Sequence, residues 1–346
     1  MTGGSEATSA YVAQSFISIA RKAPDMADSL PHSPFAPSRL LAGTDRHLLI
    51  GVNGELVWID ADSLTPVGEP AKPFPGEITT AAVFDDGSIV ATWVDRELAV
   101  ARMATIEKCN SFENGVDKPT LRAALRTGVA DTHGVAGAAW SRPLRHEPLA
   151  LCLWGGDIIF ASHFGGIYRT TRESQEVWRA PLPEWPELAG LKEGEVVVWL
   201  ASTEDSIWAF SLAGGWARLD PETGTITSQG ILKVEAKVER AWHHDGEWML
   251  SLSNERLARA RPEEGALEVM AVGGLVHWAE FSDESWWFTG WREDIHWSSK
   301  GMYPSSRADI GIGIVTHPEK GMIVLTNTGE WTSFAADAPF SQTDTD

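Results

Sequence analysis

Short apolar runs joined by polar turns recur along most of the chain, and their order is the same each time. Leu48 to Val52, Asn53-Gly54 and Leu56 to Ile59 form one such pair, and Ile89 to Trp93, Asp95-Arg96 and Leu98 to Ala101 a second. Ile158 to Ser162 with Ile167 to Thr170, and Ile207 to Ser211 with Trp216 to Leu219, give the third and fourth. Three more start at Trp248, Trp287 and Met322, with turns at Asn254-Glu255-Arg256, Arg292-Glu293-Asp294 and Asn327 to Glu330. Runs this short and bounded by turn residues predict β-hairpins. Ile158-Ile159-Phe160 and Trp286-Trp287-Phe288 are continuously apolar instead of alternating, so these strands are expected to be covered on both faces.

The pairs begin at intervals of about 41, 69, 49, 41, 39 and 35 residues. A period near 40, with a further apolar run before each pair and a polar corner after it, fits a four-stranded propeller blade. The expected fold is therefore all-β: a seven-bladed β-propeller of four-stranded antiparallel blades. The upstream runs Ala81 to Phe84, Leu151 to Trp154, Val196 to Trp199, Glu239 to Trp242 and Leu275 to Trp278 are the expected innermost strands, each ending in a large ring. Those rings read as one packing layer. The end units, Leu40 to Ala42 and Ile312 to Val315, lack the ring.

The last unit offers three strands before the chain turns polar, so its outer edge needs a partner. Phe16 to Ile19 is expected to supply it, closing the ring with an N-terminal strand, although Val12, Phe16, Ile19 and Ala20 also fit one face of a helix. The expected organisation is residues 1–38 as closing strand and Pro-rich connector, 39–335 as propeller, and 336–346 as a polar acidic tail. The 69-residue interval carries an insertion at about 104–147, in which Lys118 to Thr127 reads as a short helix. Read as a blade-to-blade connection, the insertion should sit on the face of the second-to-third-strand turns. Its replacement by a flexible linker should then cost little stability.

Charge narrows the function classes. With 28 basic and 48 acidic residues the net charge is −20, and no Lys/Arg cluster offers a nucleic-acid footprint, so nucleic acid is excluded as the expected partner and a basic protein is favoured. No run is long and apolar enough for a signal peptide or a membrane span, so a cytoplasmic protein with no membrane partner, monomeric on its own, is expected. Cys109 and Cys152 are read as two free thiols, a single disulfide being the other possibility. The 17 Trp against 12 Phe and 3 Tyr supply large rings that favour strands and need an acceptor when buried.

One corner carries a resemblance. Asp220-Pro221-Glu222-Thr223-Gly224 looks like the Asp-x-x-Thr-Gly turn of quinoprotein-like repeats, with Asp60-Ala61-Asp62-Ser63 a weaker copy. With the period, this makes residues 39 to 335 resemble the WD-repeat and quinoprotein-like β-propeller superfamily. The Gly-His and Trp-Asp pairs of WD repeats are absent, as are the adjacent cysteines of quinone-binding enzymes, so no quinone and no other cofactor is expected.

Reaction centres are not evident. His243-His244-Asp245 is the densest metal-like triplet, but adjacent His residues on a tight turn point apart, and it reads as a solvated hairpin, so no metal and no catalytic residue is assigned. The expected function is non-catalytic protein-protein interaction, or scaffolding, on the insertion-bearing face. Its candidate residues are Asp95, Arg96, His163, Asn254, Arg256, Trp291, Arg292 and Glu293, with Trp185 from a second long connection. The alternative is an enzyme, or a binder of small ligands or carbohydrate, that uses the central channel. The channel strands read Val, Ala, Leu and Cys, which favours interaction.

Overall fold

Strands covered on both faces are what the second strand of each unit becomes. In a computed structural model that describes residues 30–129 and 133–335, every residue of Ile89–Asp95, Ile207–Ser211 and Glu247–Leu252 is buried. Among the described residues the strands form seven antiparallel meanders, six of four strands and one of three, each running in chain order from first to last. The first strands, Pro37–Leu41, Glu77–Val83, Pro148–Trp154, Val197–Ser202, Val238–His244, Val276–Ser282 and Gly311–His317, pack beside one another around the centre. The protein is thus a seven-bladed β-propeller. Meander geometry gives the ring two faces. The connector face carries the second-to-third-strand turns and the links between blades; the opposite face carries the other turns.

Phe16 to Ile19 lies outside the described residues, and the seventh blade shows three strands among those described. Near the seam, the Ser33 amide donates to the Gly329 carbonyl at 2.8 Å before the chain enters blade 1.

The corner quoted from sequence is a built device. Asp220 Oδ1 accepts the Glu222 and Thr223 amides and the Thr223 hydroxyl, and these bonds hold its carboxyl below the usual range. Gly224 sits at φ +71, and a Cβ there would come within 2.7 Å of the Trp178 ring, so glycine is required by conformation and by space. Asp60 repeats the arrangement with the Ser63 amide and hydroxyl, and Leu64, at φ 56, takes the place of Gly224. The weaker copy is a true structural equivalent.

Three expectations need correction. First, the insertion is not a link between blades. It joins the third strand of blade 2 (Val100–Ile106) to the fourth (Ala138–Leu144). It leaves the opposite face at Lys108, whose amide donates to Ser88 Oγ at 3.1 Å, and runs as a strap up the groove between blades 1 and 2. The Gly115 amide bonds the Lys72 carbonyl at 2.9 Å, the Ala136 amide bonds that of Pro73 at 3.0 Å, and Asn114 accepts the Lys72 amide at 2.8 Å. At the connector face it forms helix α1 (Lys118–Thr127), capped by Asp117 at its start and by Gly128 at φ 73 at its end. Phe112, Leu121 and Val135 are buried against Trp58, Phe74 and Ile78, so the strap is part of the core.

Second, the rings on the innermost strands do not form one layer. All seven of these strands carry a bulge against their neighbour, which loops out Ser38, Thr79, Leu149, Val198, Glu239, His277 and Ile312 in turn. Counted from the bulge, Trp199 and Trp278 share one level, Trp242 lies two residues further on, and Phe84 and Trp154 four. Phe84 is buried, whereas Trp199, Trp242 and Trp278 border a central cavity of about 420 Å³.

Third, that cavity is not uniformly apolar. Arg39, Arg240 and His277 line it beside Thr79 and Thr80. Burial and the nearby Arg240 charge push His277 down to about 4, so it is neutral at pH 7 while an unfolded chain protonates near 6.5. Because the folded pKa is depressed, the unfolded state binds the extra proton, and stability is lost as pH falls from about 6.5 toward 4. The other charges around it are Arg39, Arg240 and Glu239 at the cavity, with Glu280 on its own strand. Burial raises Glu280, so its change runs the opposite way. His277→Gln should therefore flatten the decline between pH 7 and pH 5 by about 1 kcal/mol, after discounting for partial exposure, in urea titrations. Parallel pH profiles for variant and parent would contradict this.

Candidate interaction surface

The turns of the connector face place the sequence-derived residues in four different circumstances. Asp95 is buried, with Lys118 Nζ at 2.9 Å and the Leu98 amide at 2.9 Å. Burial alone would raise its pKa, but these partners outweigh burial and hold the carboxyl below its usual range. Its work is to anchor helix α1, together with Glu97, which pairs with Lys118 and Arg122. Arg96 is exposed and ties Glu77 (3.0 Å) to Glu147 (2.7 Å), linking the ends of two neighbouring first strands.

Asn254, Arg256 and Arg292 are exposed, and neither arginine has an ion-pair partner among the described residues. Trp291 is 51% exposed and lies over Gly274, where a Cβ would meet its side chain at 2.5 Å. Glu293 is half-buried and accepts the Gly273 amide at 2.7 Å. His163 is half-buried and stacks on Phe164 with centroids 3.8 Å apart.

Trp185 is not a surface residue. It is 2% exposed, its indole donates to the Trp216 carbonyl at 3.2 Å, and its ring covers Gly215. The long connection that carries it, with a 3₁₀ turn at Pro186–Leu188, folds this ring inward between blades 3 and 4.

Of the apolar part of the surface, sequence reasoning named Trp291 and missed the rest. Six large apolar side chains are strongly exposed among the described residues: Val52, Val129, Phe164, Val177, Leu191 and Trp291. Four of them, Val52, Phe164, Leu191 and Trp291, lie in turns or links of the connector face, while Val129 follows helix α1 and Val177 is on an outer strand. Phe164 is the most exposed at 79%, and it holds φ 60, a conformation that a bulky residue takes only under constraint. With Leu191 it rims a cavity of about 720 Å³ between blades 3 and 4, also lined by Leu182, Arg179 and Glu195. The available signal was a lone aromatic inside the tight turn His163 to Gly166, where a polar residue is the norm.

The opposite face carries the acidic turns. Asp85, Asp86, Asp283 and Glu284 lie there, Asp86 being paired with Arg172 at 2.6 Å. The His243-His244-Asp245 turn is also there. His243 Nε2 accepts the Gly246 amide at 3.0 Å, and His244 stacks on Phe281 at 3.7 Å, so the two rings serve different neighbours. Cys109 and Cys152 are free thiols, and burial pushes Cys152 up to about 12, which makes it a poor nucleophile.

No protein-family model and no curated protein matches the chain. Its likenesses are to solved structures. The β-propeller domain of Cps50 (Swd1) from Myceliophteria thermophila aligns at TM-score 0.59 and 13% identity, over 86% of this chain and 96% of that one. The computationally designed Ika8 protein gives 0.55 and 11%, over 89% and 98%. BamB from Moraxella catarrhalis gives 0.54 and 10%, over 88% and 98%. A WD-repeat propeller and a quinoprotein-like propeller thus share the architecture read from the repeats. At these identities the likeness concerns the fold alone.

Proposed function

We propose that the protein works in the cytoplasm as a non-catalytic interaction module, binding another protein on the connector face. The observation that carries this reading is that Val52, Phe164, Leu191 and Trp291, the middle two rimming one cavity, are all exposed on one face of an otherwise acidic protein. Exposed aromatic and aliphatic anchors beside unpaired arginines are the composition of a binding hot spot. A net charge of −20 favours a partner of positive net charge, through faster encounter at low salt. Arg256 and Arg292 then meet that partner's carbonyl or acidic groups locally.

Affinity capture from the native cell, read by mass spectrometry, tests the reading. Phe164→Ala combined with Trp291→Ala should leave the melting temperature within about two degrees, since both side chains are mainly in water, and should abolish recovery of the partner. Asp85→Lys with Asp283→Lys, on the opposite face, should leave recovery unchanged. Equal recovery by the first pair would refute the assignment of the face.

A further inference from the structure

The centre of the ring holds a combination that the interaction surface does not use. Arg240 follows the bulge of blade 5 and borders the central cavity, yet its guanidinium has no hydrogen bond and no ion pair among the described residues. Burial and the like charge of Arg39 push its pKa down to about 10, so it is still charged at pH 7. Blade 1 brings Arg39 to the same cavity, where one of its nitrogens is bound to the Thr79 carbonyl at 2.8 Å. Blade 6 adds His277 and Trp278, and among the described residues His277 has no hydrogen bond and the buried Trp278 indole N–H has no acceptor. Glu239 is exposed at the cavity and makes no ion pair with Arg240.

A half-buried guanidinium without a partner is costly, and Arg240 has beside it a second like charge, Arg39, held by a single carbonyl, in a protein that has acidic residues to spare. Nothing in the packing of the ring requires them, since blades 3 and 7 put Ala150 and Gly313 at the position of Arg39 and Arg240. The missing component is a negative charge. Guanidinium donors fit the oxygens of a carboxylate or a phosphate. The other lining adds ring surfaces: Trp199 and Trp242, with centroids 6.5 Å apart, and Trp278. A volume of about 420 Å³ exceeds what a bare inorganic anion fills and suits one ring-bearing molecule.

We propose that the central channel is a binding site for a small organic anion, with its carboxylate or phosphate held by Arg240 and Arg39 and its ring against Trp199, Trp242 and Trp278. The site is separate from the connector-face surface, and either can fail without the other.

Isothermal titration of the full-length protein with benzoate, phenyl phosphate, inorganic phosphate and neutral benzamide tests this. A ringed anion should bind saturably and at least tenfold more tightly than benzamide or inorganic phosphate, and the stronger of benzoate and phenyl phosphate tells which anionic group the site prefers. Arg240→Gln should lose at least tenfold in affinity while melting no lower than the parent, because it removes an unpaired charge. Binding should also raise the His277 pKa, seen by NMR of the ring protons, which an anion lodged elsewhere on the surface would not do. No saturable binding of either ringed anion by the parent protein, equal binding of benzamide or inorganic phosphate, or undiminished binding by a folded Arg240→Gln would overturn the proposal. If Arg240→Gln does not fold, the binding preferences of the parent and the His277 shift decide it.

Discussion

Replacing residues 110–136 with a short Gly-Ser linker is expected to lower the melting temperature by roughly ten degrees or more and to promote aggregation. Loop-closure entropy alone would make the exchange nearly neutral, since a doubling of loop length costs only about 0.6 kcal/mol. Burial decides otherwise. The strap places Phe112, Leu121 and Val135 against Trp58, Phe74 and Ile78, and each buried side chain of this kind contributes about 1.5–3 kcal/mol. Its removal also bares apolar surface between blades 1 and 2 and leaves the Lys72 and Pro73 backbone groups without their partners. Against a typical total of about 5–15 kcal/mol, that loss is large. Leu121→Ala alone, at 1% exposure, should cost about 2–5 kcal/mol in urea titrations. A linker variant that melts within two degrees of the parent would show that the groove closes without the strap.

Asp294→Ala is expected to destabilise by about 3–5 kcal/mol. Asp294 has no exposed surface and accepts from Thr289 Oγ1 at 2.6 Å, from Arg307 Nη1 at 2.6 and 2.7 Å, and from the Ala335 amide at 2.8 Å. Arg307 in turn reaches Thr332, on the third strand of blade 7. Blades 6 and 7 are therefore latched through one carboxylate, at the blade with three described strands. Removing the carboxylate leaves the Arg307 charge buried and alone. Asp294→Leu with Arg307→Met should recover part of the loss, because no charge is then stranded. Equal stability of Asp294→Ala and the parent in guanidinium titrations would show that the latch carries no load.

Blade count, strand positions and the turn at Asp220 were legible in the chain because they rest on local patterns. Runs such as Ile158 to Phe160 can be satisfied only between two apolar layers, and their recurrence near 40 residues leaves a ring of sheets as the arrangement that covers them all. Helix α1 was legible for the same reason, since Pro119, Leu121 and Leu125 act within a few residues of one another. Free Arg256, Arg292 and Trp291 could be anticipated from their place in turns.

What the tertiary structure alone decided depends on neighbours far away in sequence. Trp185 sits in a loop, where exposure is the natural reading, but the space above Gly215 in the next blade draws it into the core. The strap's destination was set by the groove beside Lys72 and Pro73, which no pattern between 104 and 147 reveals. The channel was misjudged through a single-residue effect. A strand's side chains alternate between two faces, so one bulge shifts every later residue to the other side. Seven such bulges turn Arg39, Arg240, His277 and Trp278 toward the centre of a ring whose strands read as Val, Ala and Leu. The sequence by itself determined which segments pair and how often, because that follows from local hydrophobic period; which side chains meet at the axis was decided only when seven sheets closed on one another.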